Sequence, residues 1–518
     1  MGIFLNPNNI DFQRAINSKI YIDKSELIKY TNNVIYTEQQ YICVSRPRRF
    51  GKSMAANMLT AYYSRGCDSR EMFSKYKIAR ADSFEKHLNK YNVIRLDIQK
   101  FANRTETVED MLELLQKRVI NELKREFEID EEESDLTYVL ENIFAEYSQP
   151  FVFIIDEWDC ILRDTKNDSE AQKTYLNFLC NLFKGQSYVA LAYMTGILPI
   201  KKYGKHSAIN VFYEYSMTDA KPISKFTGFT ENEVKFLCEK YNKPFEQMKR
   251  WYDGYCLDGI SIYNPKSVVE SILRDNFGNY WTKTETYEAL KVYIQTNFDG
   301  LRDKVVKLIA GEKVAINPDK FQNDMTTFNS ADDVLTLLVH LGYLTYNDNM
   351  AWVPNSEVAQ EFINSIEDGG WEEVMRSVKA SDELLKATLA CDEEKVAELI
   401  EQSHQDNTSI LKYNDENSLS CVLSLAYYSA RKSYIIEREL LAGKGFADLV
   451  FKPRSNNINP AMIVELKYYG SAESAIEQIK EKHYMDCLQD YSGDVLLVGV
   501  NYDKKLKKHS CKIERAKK

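Results

Sequence analysis

Residues 45–53 read Ser-Arg-Pro-Arg-Arg-Phe-Gly-Lys-Ser and stand between an apolar stretch, Tyr41–Ser45, and a run with helical spacing. Glycine, lysine and a hydroxyl at a strand-to-helix junction suit a phosphate-gripping loop. Backbone N–H groups and the helix start face the phosphates, the lysine reaches the outer ones, and the hydroxyl takes Mg²⁺. Gly51, Lys52 and Ser53 fit this pattern, GxxxxGK[ST], while Arg46 occupies the place of its first glycine. Gly-Lys-Ser alone is a common triplet, so the weight falls on its position and on the positive charge of Arg48 and Arg49.

A second motif supports the first. Residues 151–159 read Phe-Val-Phe-Ile-Ile-Asp-Glu-Trp-Asp, an apolar strand ending in paired carboxylates. In such a pair Asp156 holds Mg²⁺ through water and Glu157 orients or activates the attacking water. The alternative is an acidic turn after a core strand. Thr195 ends the next apolar strand. It is either a sensor of the γ-phosphate, because neighbouring strand ends open on one crevice, or a strand-end cap. The expected ATP contacts are Arg48, Arg49, Phe50, Gly51, Lys52, Ser53, Met54, Asp156 and Thr195, with Mg²⁺ on Ser53 and Asp156.

A third constellation lies near the C-terminus, in Gly-Lys-Gly-Phe-Ala-Asp-Leu-Val-Phe and Met-Ile-Val-Glu-Leu-Lys. Glu465 and Lys467 are separated by one residue on a strand, so their side chains share a face. Asp448 begins the preceding strand. Two carboxylates suit a hard cation, Mg²⁺ or Mn²⁺. The metal lowers the pKa of a bound water, and the lysine positions that water or the transition state. Glu437 and Glu439 are further candidates, for which ion pairing is the plainer role.

These residues need elements to hold them. Apolar strands over Tyr41–Ser45, Val93–Ile98, Phe151–Ile155 and Tyr188–Met194 alternate with helices over Met54–Gly66, Thr107–Phe127 and Glu170–Phe183, the pattern of a parallel sheet covered on both faces. In Thr107–Phe127 the apolar face is Met111, Leu114, Leu115, Val119 and Leu123. A helix at Asp332–Leu344 followed by Thr-Tyr-Asn-Asp-Asn-Met-Ala-Trp suggests a helix and a small hairpin, and helical hairpins are expected over Glu372–Gln405. The last part reads α-β-β-β-α-β, with strands near Tyr434–Leu440, Ala447–Phe451, Met462–Leu466 and Val495–Val500, and helices at Glu416–Ala430 and Ser471–Tyr484.

At 518 residues the chain requires more than one domain, and its 44% hydrophobic and 28% charged residues are those of a soluble protein. The net charge of -10 excludes a wholly basic nucleic-acid binder but not a local basic surface. The basic tail Lys504–Lys518 is read as a solvated terminus, with phosphate contact as the minor alternative. Ten scattered cysteines without a CxxC exclude a zinc ribbon and favour free thiols. No apolar stretch reaches the roughly 20 residues of a membrane span. The start lacks the regions of a secretory signal, and Asn6 stands where a myristoylation signal has Ser or Thr. A cytoplasmic location is expected.

Together Tyr21–Ile28 (YIDKSELI), RPRRFGKS, IIDEWD, Met194–Ile200 (MTGILPI), Phe226–Val234 (FTGFTENEV), Trp251–Tyr255 (WYDGY) and Ile262–Val268 (IYNPKSV) resemble the bacterial AAA-ATPase-like proteins that carry a C-terminal PD-(D/E)xK nuclease-superfamily domain. In that family RPRRFGKS is the usual loop, so the resemblance makes Arg46 a family variant. The element pattern gives an α/β core over 1–280 and a helical or winged-helix-like module over 281–370. The resemblance makes the first a P-loop ATPase domain and implies a restriction-endonuclease-like domain over 371–518. It carries Asp448, Glu465 and Lys467 over as catalytic, Glu416 as a further metal ligand, and Gln478 as a neighbour of the metal or nucleic acid. For Glu416 and Gln478 a solvated helix face stays open. Ala447 replaces the proline of the motif name. WYDGY and IYNP are expected to pack.

The function expected from this is an ATPase with Glu157 as its catalytic acid-base residue, coupled to a metal-dependent phosphodiesterase acting on DNA in preference to RNA. A homo-oligomer is open, and no membrane partner is expected. The alternative is a nucleotide-switched nucleic-acid-binding or scaffold protein with an inactive nuclease fold.

Overall fold

A computed structural model describes residues 2–517 except 130–131, 201–208, 282–292, 295–297, 299, 323–327, 368–370, 408–415, 455–458, 469, 489–490 and 504. The described residues gather into two compact units. One comprises residues 1–286 and 315–360, the other 287–314 and 361–518.

The first unit is built on five parallel strands: β1 (Tyr41–Ser45), β2 (Asn92–Asp97), β3 (Phe151–Asp156), β4 (Val189–Gly196) and β5 (Tyr213–Tyr215). Their spatial order is β2-β3-β4-β1-β5. Alternate residues of β3 serve opposite faces. Phe151, Phe153 and Ile155 join one apolar cluster, and Val152 and Ile154 join the other. Helices must therefore cover both sides, each fully buried large apolar side chain contributing about 1.5–3 kcal/mol.

The covering helices have clear local causes. Thr107 Oγ1 accepts the Asp110 N–H at 3.1 Å and caps Val108–Leu123, which buries Met111, Leu115, Val119 and Leu123 and leaves Leu114 half-buried. Asp168 caps Ser169–Phe183 through the Ala171 N–H at 3.0 Å. Between the strand ends, Ser45 stands beside Gly196 and Ile155 beside Met194. The loop after β1, the carboxylates after β3 and the end of β4 thus share one edge of the sheet.

Short strands β6 (Phe229–Thr230), β7 (Tyr255–Leu257) and β8 (Ile260–Tyr263) form a second sheet in the order β6-β8-β7. After the two-residue β9 (Val314–Ala315), the expected helix and hairpin are present as Ala331–Leu341 and β10 (Thr345–Asn347) with β11 (Met350–Trp352).

In the second unit, helices Glu372–Leu389, Glu393–Asn407 and Glu416–Ala426 precede a sheet of β12 (Tyr434–Ala442), β13 (Gly445–Pro453), β14 (Ala461–Tyr468), β15 (Asp494–Asp503) and β16 (Lys508–Lys517), arranged in that order. Only the β14–β15 pair is parallel, and its crossover carries the helix Ala472–Glu481. The tail was expected as a solvated terminus, and here the structure differs. Strand β16 pairs antiparallel with β15 from Lys508 opposite Asp503 to Lys517 opposite Asp494. Its apolar alternation is thin and hidden among lysines, yet His509 and Ile513 are buried.

Candidate functional site

Gly51 opens the helix Lys52–Tyr63 at φ +86°, and no atom lies within 4 Å of where a Cβ would stand. Glycine is required there by backbone conformation rather than by space. Arg49 also has a left-handed φ, +72°. Lys52 is buried, and its Nζ donates to the carbonyls of Arg46 at 2.9 Å and Pro47 at 3.0 Å. Burial lowers its pKa, against the pull of Glu157, Asp156 and Asp159.

The structure accounts for Arg46 in place of glycine. The side chain is fully buried, and Nε donates to Thr227 Oγ1 at 3.0 Å. Its Nη1 meets the carbonyls of Ser45 at 2.8 Å, Tyr215 at 2.7 Å and Ser216 at 2.9 Å. Arg46 thus ties the ends of β1 and β5 together through backbone acceptors that would otherwise lack this donor.

Asp156 ends β3 almost fully buried. Thr195 Oγ1 donates to its Oδ1, and Arg95 Nη2 lies 3.1 Å from its Oδ2. Burial pushes the carboxyl up, but Arg95 and hydrogen bonds from Thr195 and Ser53, with Lys52 nearby, outweigh it and leave the pKa lowered. Thr195 is buried beside Asp156. Glu157 has φ +52°, and burial raises its pKa despite Lys52 and Arg163. Asp159 is fully buried and accepts the N–H groups of Ile197 at 3.0 Å and Leu198 at 2.8 Å, fixing the turn after β4.

Two cations at this edge carried no motif signal. Arg95 is a charge between Val93, Ile94 and Leu96 in β2, a place that by itself calls for a nearby anion. Arg163 follows Asp159 by one helical turn and pairs with Glu157 at 2.5 Å and Asp159 at 3.1 Å.

The loop opens on a cavity of about 1290 Å³, ample for a nucleotide. Arg48, Arg49, Phe50, Gly51, Lys52, Ser53, Met54 and Glu157 line it, while Asp156 and Thr195 lie behind that surface. The remaining motifs build the surroundings. Gly228 N–H donates to the Phe50 carbonyl at 2.9 Å, and Lys24 pairs with Glu233 at 2.6 Å. Phe50 packs edge-on against Tyr255 of WYDGY, with ring centroids 5.0 Å apart. Asn264 of IYNP caps the helix Pro265–Arg274.

In the second unit, Asp448 and Glu465 stand on neighbouring antiparallel strands. Asp448 Oδ2 accepts the Leu466 N–H at 2.7 Å. Gln478, on the helix Ala472–Glu481, donates from Nε2 to Glu465 and accepts from Lys467 Nζ. The same Nε2 lies 3.1 Å from Tyr484 Oη. Lys467 is 3.7 Å from Glu465. The structure thus brings Asp448, Glu465, Lys467 and Gln478 together. Burial, then the Asp448 charge, pushes Glu465 up to about 8 although Lys467 pulls it down. Its Oε2 is buried without a hydrogen-bond partner among the described residues. An orphaned carboxylate oxygen beside a second carboxylate fits a divalent cation. Glu416 heads its helix, but its side chain lies outside the described residues. Among those described, no group of three or more His, Cys, Asp or Glu is poised for a metal. Glu437 pairs with Lys452 at 2.8 Å, the plainer role expected of it.

Residues 10–205 match the family described as Predicted AAA-ATPase, and residues 414–511 match the PD-(D/E)XK nuclease superfamily. A protein of Azotobacter chroococcum mcd 1, named only as an uncharacterized protein in the vnfD 5′ region, is 25% identical over 254 residues. The match covers 47% of each chain, so this chain spans about half the length of that curated relative. Among solved structures, the Walker-type ATPase PABY2304 of Pyrococcus abyssi aligns over 65% of this chain and 94% of its own, at 15% identity and a TM-score of 0.33. The ORC2 protein of Aeropyrum pernix aligns over 68% and 98%, at 11% identity and a TM-score of 0.30.

Proposed function

For a chain that joins an AAA-ATPase-like domain to a PD-(D/E)XK nuclease-superfamily domain, we propose ATP binding and hydrolysis at the first and metal-dependent phosphodiester cleavage at the second. The substrate is nucleic acid, DNA in preference to RNA, and nucleotide state governs cleavage. The observation that carries this reading is the meeting of Lys52, Ser53 and Glu157 on one nucleotide-sized cavity, with Asp156 held by Thr195 and Arg95 behind them.

The loop N–H groups and Lys52 bind phosphate, with Arg48 and Arg49 adding positive charge. Ser53 and Asp156 would hold Mg²⁺, which neutralises charge on the transferring phosphoryl group. Glu157 takes the proton of the attacking water, a task its raised pKa suits. In the second domain Asp448 and Glu465 would hold a divalent cation, which supplies an activated water and charge neutralisation at the scissile phosphate. Lys467 stabilises the developing charge, and Gln478 sets its distance from Glu465. Free thiols at all ten cysteines suit a cytoplasmic location.

The decisive experiment incubates the purified protein with mixed DNA and RNA, with and without Mg²⁺ and ATP. Wild-type cleavage that needs Mg²⁺ and is lost in Lys467→Ala supports the proposal. Gln478 holds both Glu465 and Lys467, and this favours a second reading, a nucleotide-switched binding or scaffold protein with an inactive nuclease fold. Nucleic-acid binding that responds to ATP without any cleavage selects it.

A further inference from the structure

Arg163 belongs to neither phosphate motif. It stands on the short helix Cys160–Asp164 directly after Asp-Glu-Trp-Asp, with its side chain 7% exposed. Its guanidinium reaches two carboxylates, Nε to Asp159 Oδ2 at 3.1 Å and Nη2 to Glu157 Oε2 at 2.5 Å. The two partners differ in how firmly they are held. The same Asp159 oxygen accepts the Ile197 and Leu198 N–H groups, so it is pinned to the turn after β4. Glu157 has a side chain 27% exposed and borders the cavity.

Arg163 lines that cavity with Lys52 and Ser53. Its guanidinium is therefore anchored at one end and paired at the other with an exchangeable carboxylate, in the space where phosphate oxygens would enter. A planar fork of N–H donors binds phosphate at least as well as carboxylate, and a terminal phosphate carries more charge than Glu157.

We propose that Arg163 senses the terminal phosphate of a nucleoside triphosphate within its own chain, exchanging Glu157 for phosphate oxygens at its Nη end while Asp159 keeps its Nε end in place. The exchange frees Glu157 to face the attacking water only when a triphosphate is bound. A diphosphate lacks the group that competes, so it leaves the pair intact. The inference rests on the nucleotide reading of the cavity.

The test is direct titration of the full-length protein with fluorescent ADP and with a fluorescent non-hydrolysable ATP analogue. Arg163→Ala should weaken the triphosphate about tenfold and change ADP by less than about twofold, one charge-assisted contact being lost. Glu157→Gln, which releases the Nη end, should tighten the triphosphate relative to ADP, and the double variant should lose that gain. Equal losses for both nucleotides in Arg163→Ala reveal a purely structural role and overturn the proposal. So does a Glu157→Gln gain that survives in the double variant. Should Arg163→Ala fail to fold, Glu157→Gln alone decides, because it leaves the Arg163–Asp159 pair intact; no relative tightening overturns the proposal. A wild type that binds neither nucleotide removes the nucleotide reading together with the inference. A wild type that binds both, with Arg163→Ala unchanged, removes the inference alone.

Discussion

Glu465 shows how a single group can report on its site. Its pKa rises from 4.5 to about 8 because burial and Asp448 disfavour the charged form. Between these values the folded chain holds a proton that the unfolded chain has released, so this group's contribution to stability falls as pH rises through that window. Unfolding of the second unit, followed from pH 5 to pH 8, should show that decline. Glu465→Gln should flatten it, and Mg²⁺ or Mn²⁺ should restore stability at pH 8 in the wild type only. Arg46 yields a second expectation at this scale. Arg46→Gly recreates GxxxxGK[ST] but strips the donor from three carbonyls and from Thr227. A loss of about 3 kcal/mol or more is expected, read as a lower melting temperature without tighter nucleotide binding.

At the scale of elements, Gly51→Ala places a side chain at φ +86°. The strain of about 1–2 kcal/mol falls on the turn that aims the loop N–H groups, so nucleotide affinity should drop more than global stability does. Four of the five strands of the first sheet were legible, β1, β3 and β4 as apolar runs such as Phe151–Ile155 and β2 by its alternation, while β5, Tyr-Glu-Tyr with an exposed end, carried no such signal. The phosphate loop was legible because it sits between an apolar strand and a helix. Arg95 and Arg163 were not. Arg95 is meaningful only through a carboxylate 61 residues away, Asp156. Arg163, although only four residues from Asp159, stands at a spacing common on any helix that says nothing of the cavity it borders. Strand β16 carried little signal because its inner face, His509, Cys511 and Ile513, holds a single large apolar residue. Truncation before Lys508 uncovers the hydrogen-bonding edge of β15, whose Val495–Val500 segment is apolar but for Gly499. Self-association of that truncated chain in size-exclusion chromatography is the expected outcome.

For the whole molecule, two units with separate cores should answer to separate ligands. At a hundred times its dissociation constant a ligand adds about 2.7 kcal/mol to the unit that binds it. ATP with Mg²⁺ should therefore raise the melting transition of the first unit, and Lys52→Ala should cancel that rise. Mn²⁺ without nucleotide should act on the second unit and be cancelled by Asp448→Asn. The net charge of -10 adds that any nucleic acid must be met by local cations, so binding should weaken steeply with salt. The grip of Arg46 on Tyr215, Ser216 and Thr227 has a last consequence, for the sequences this fold can reach. A lineage drifting toward glycine at position 46 must first re-satisfy the border strand and the segment behind it. A one-step intermediate is expected to fold less stably, so that the neighbours' needs weigh on position 46 as much as its own chemistry does.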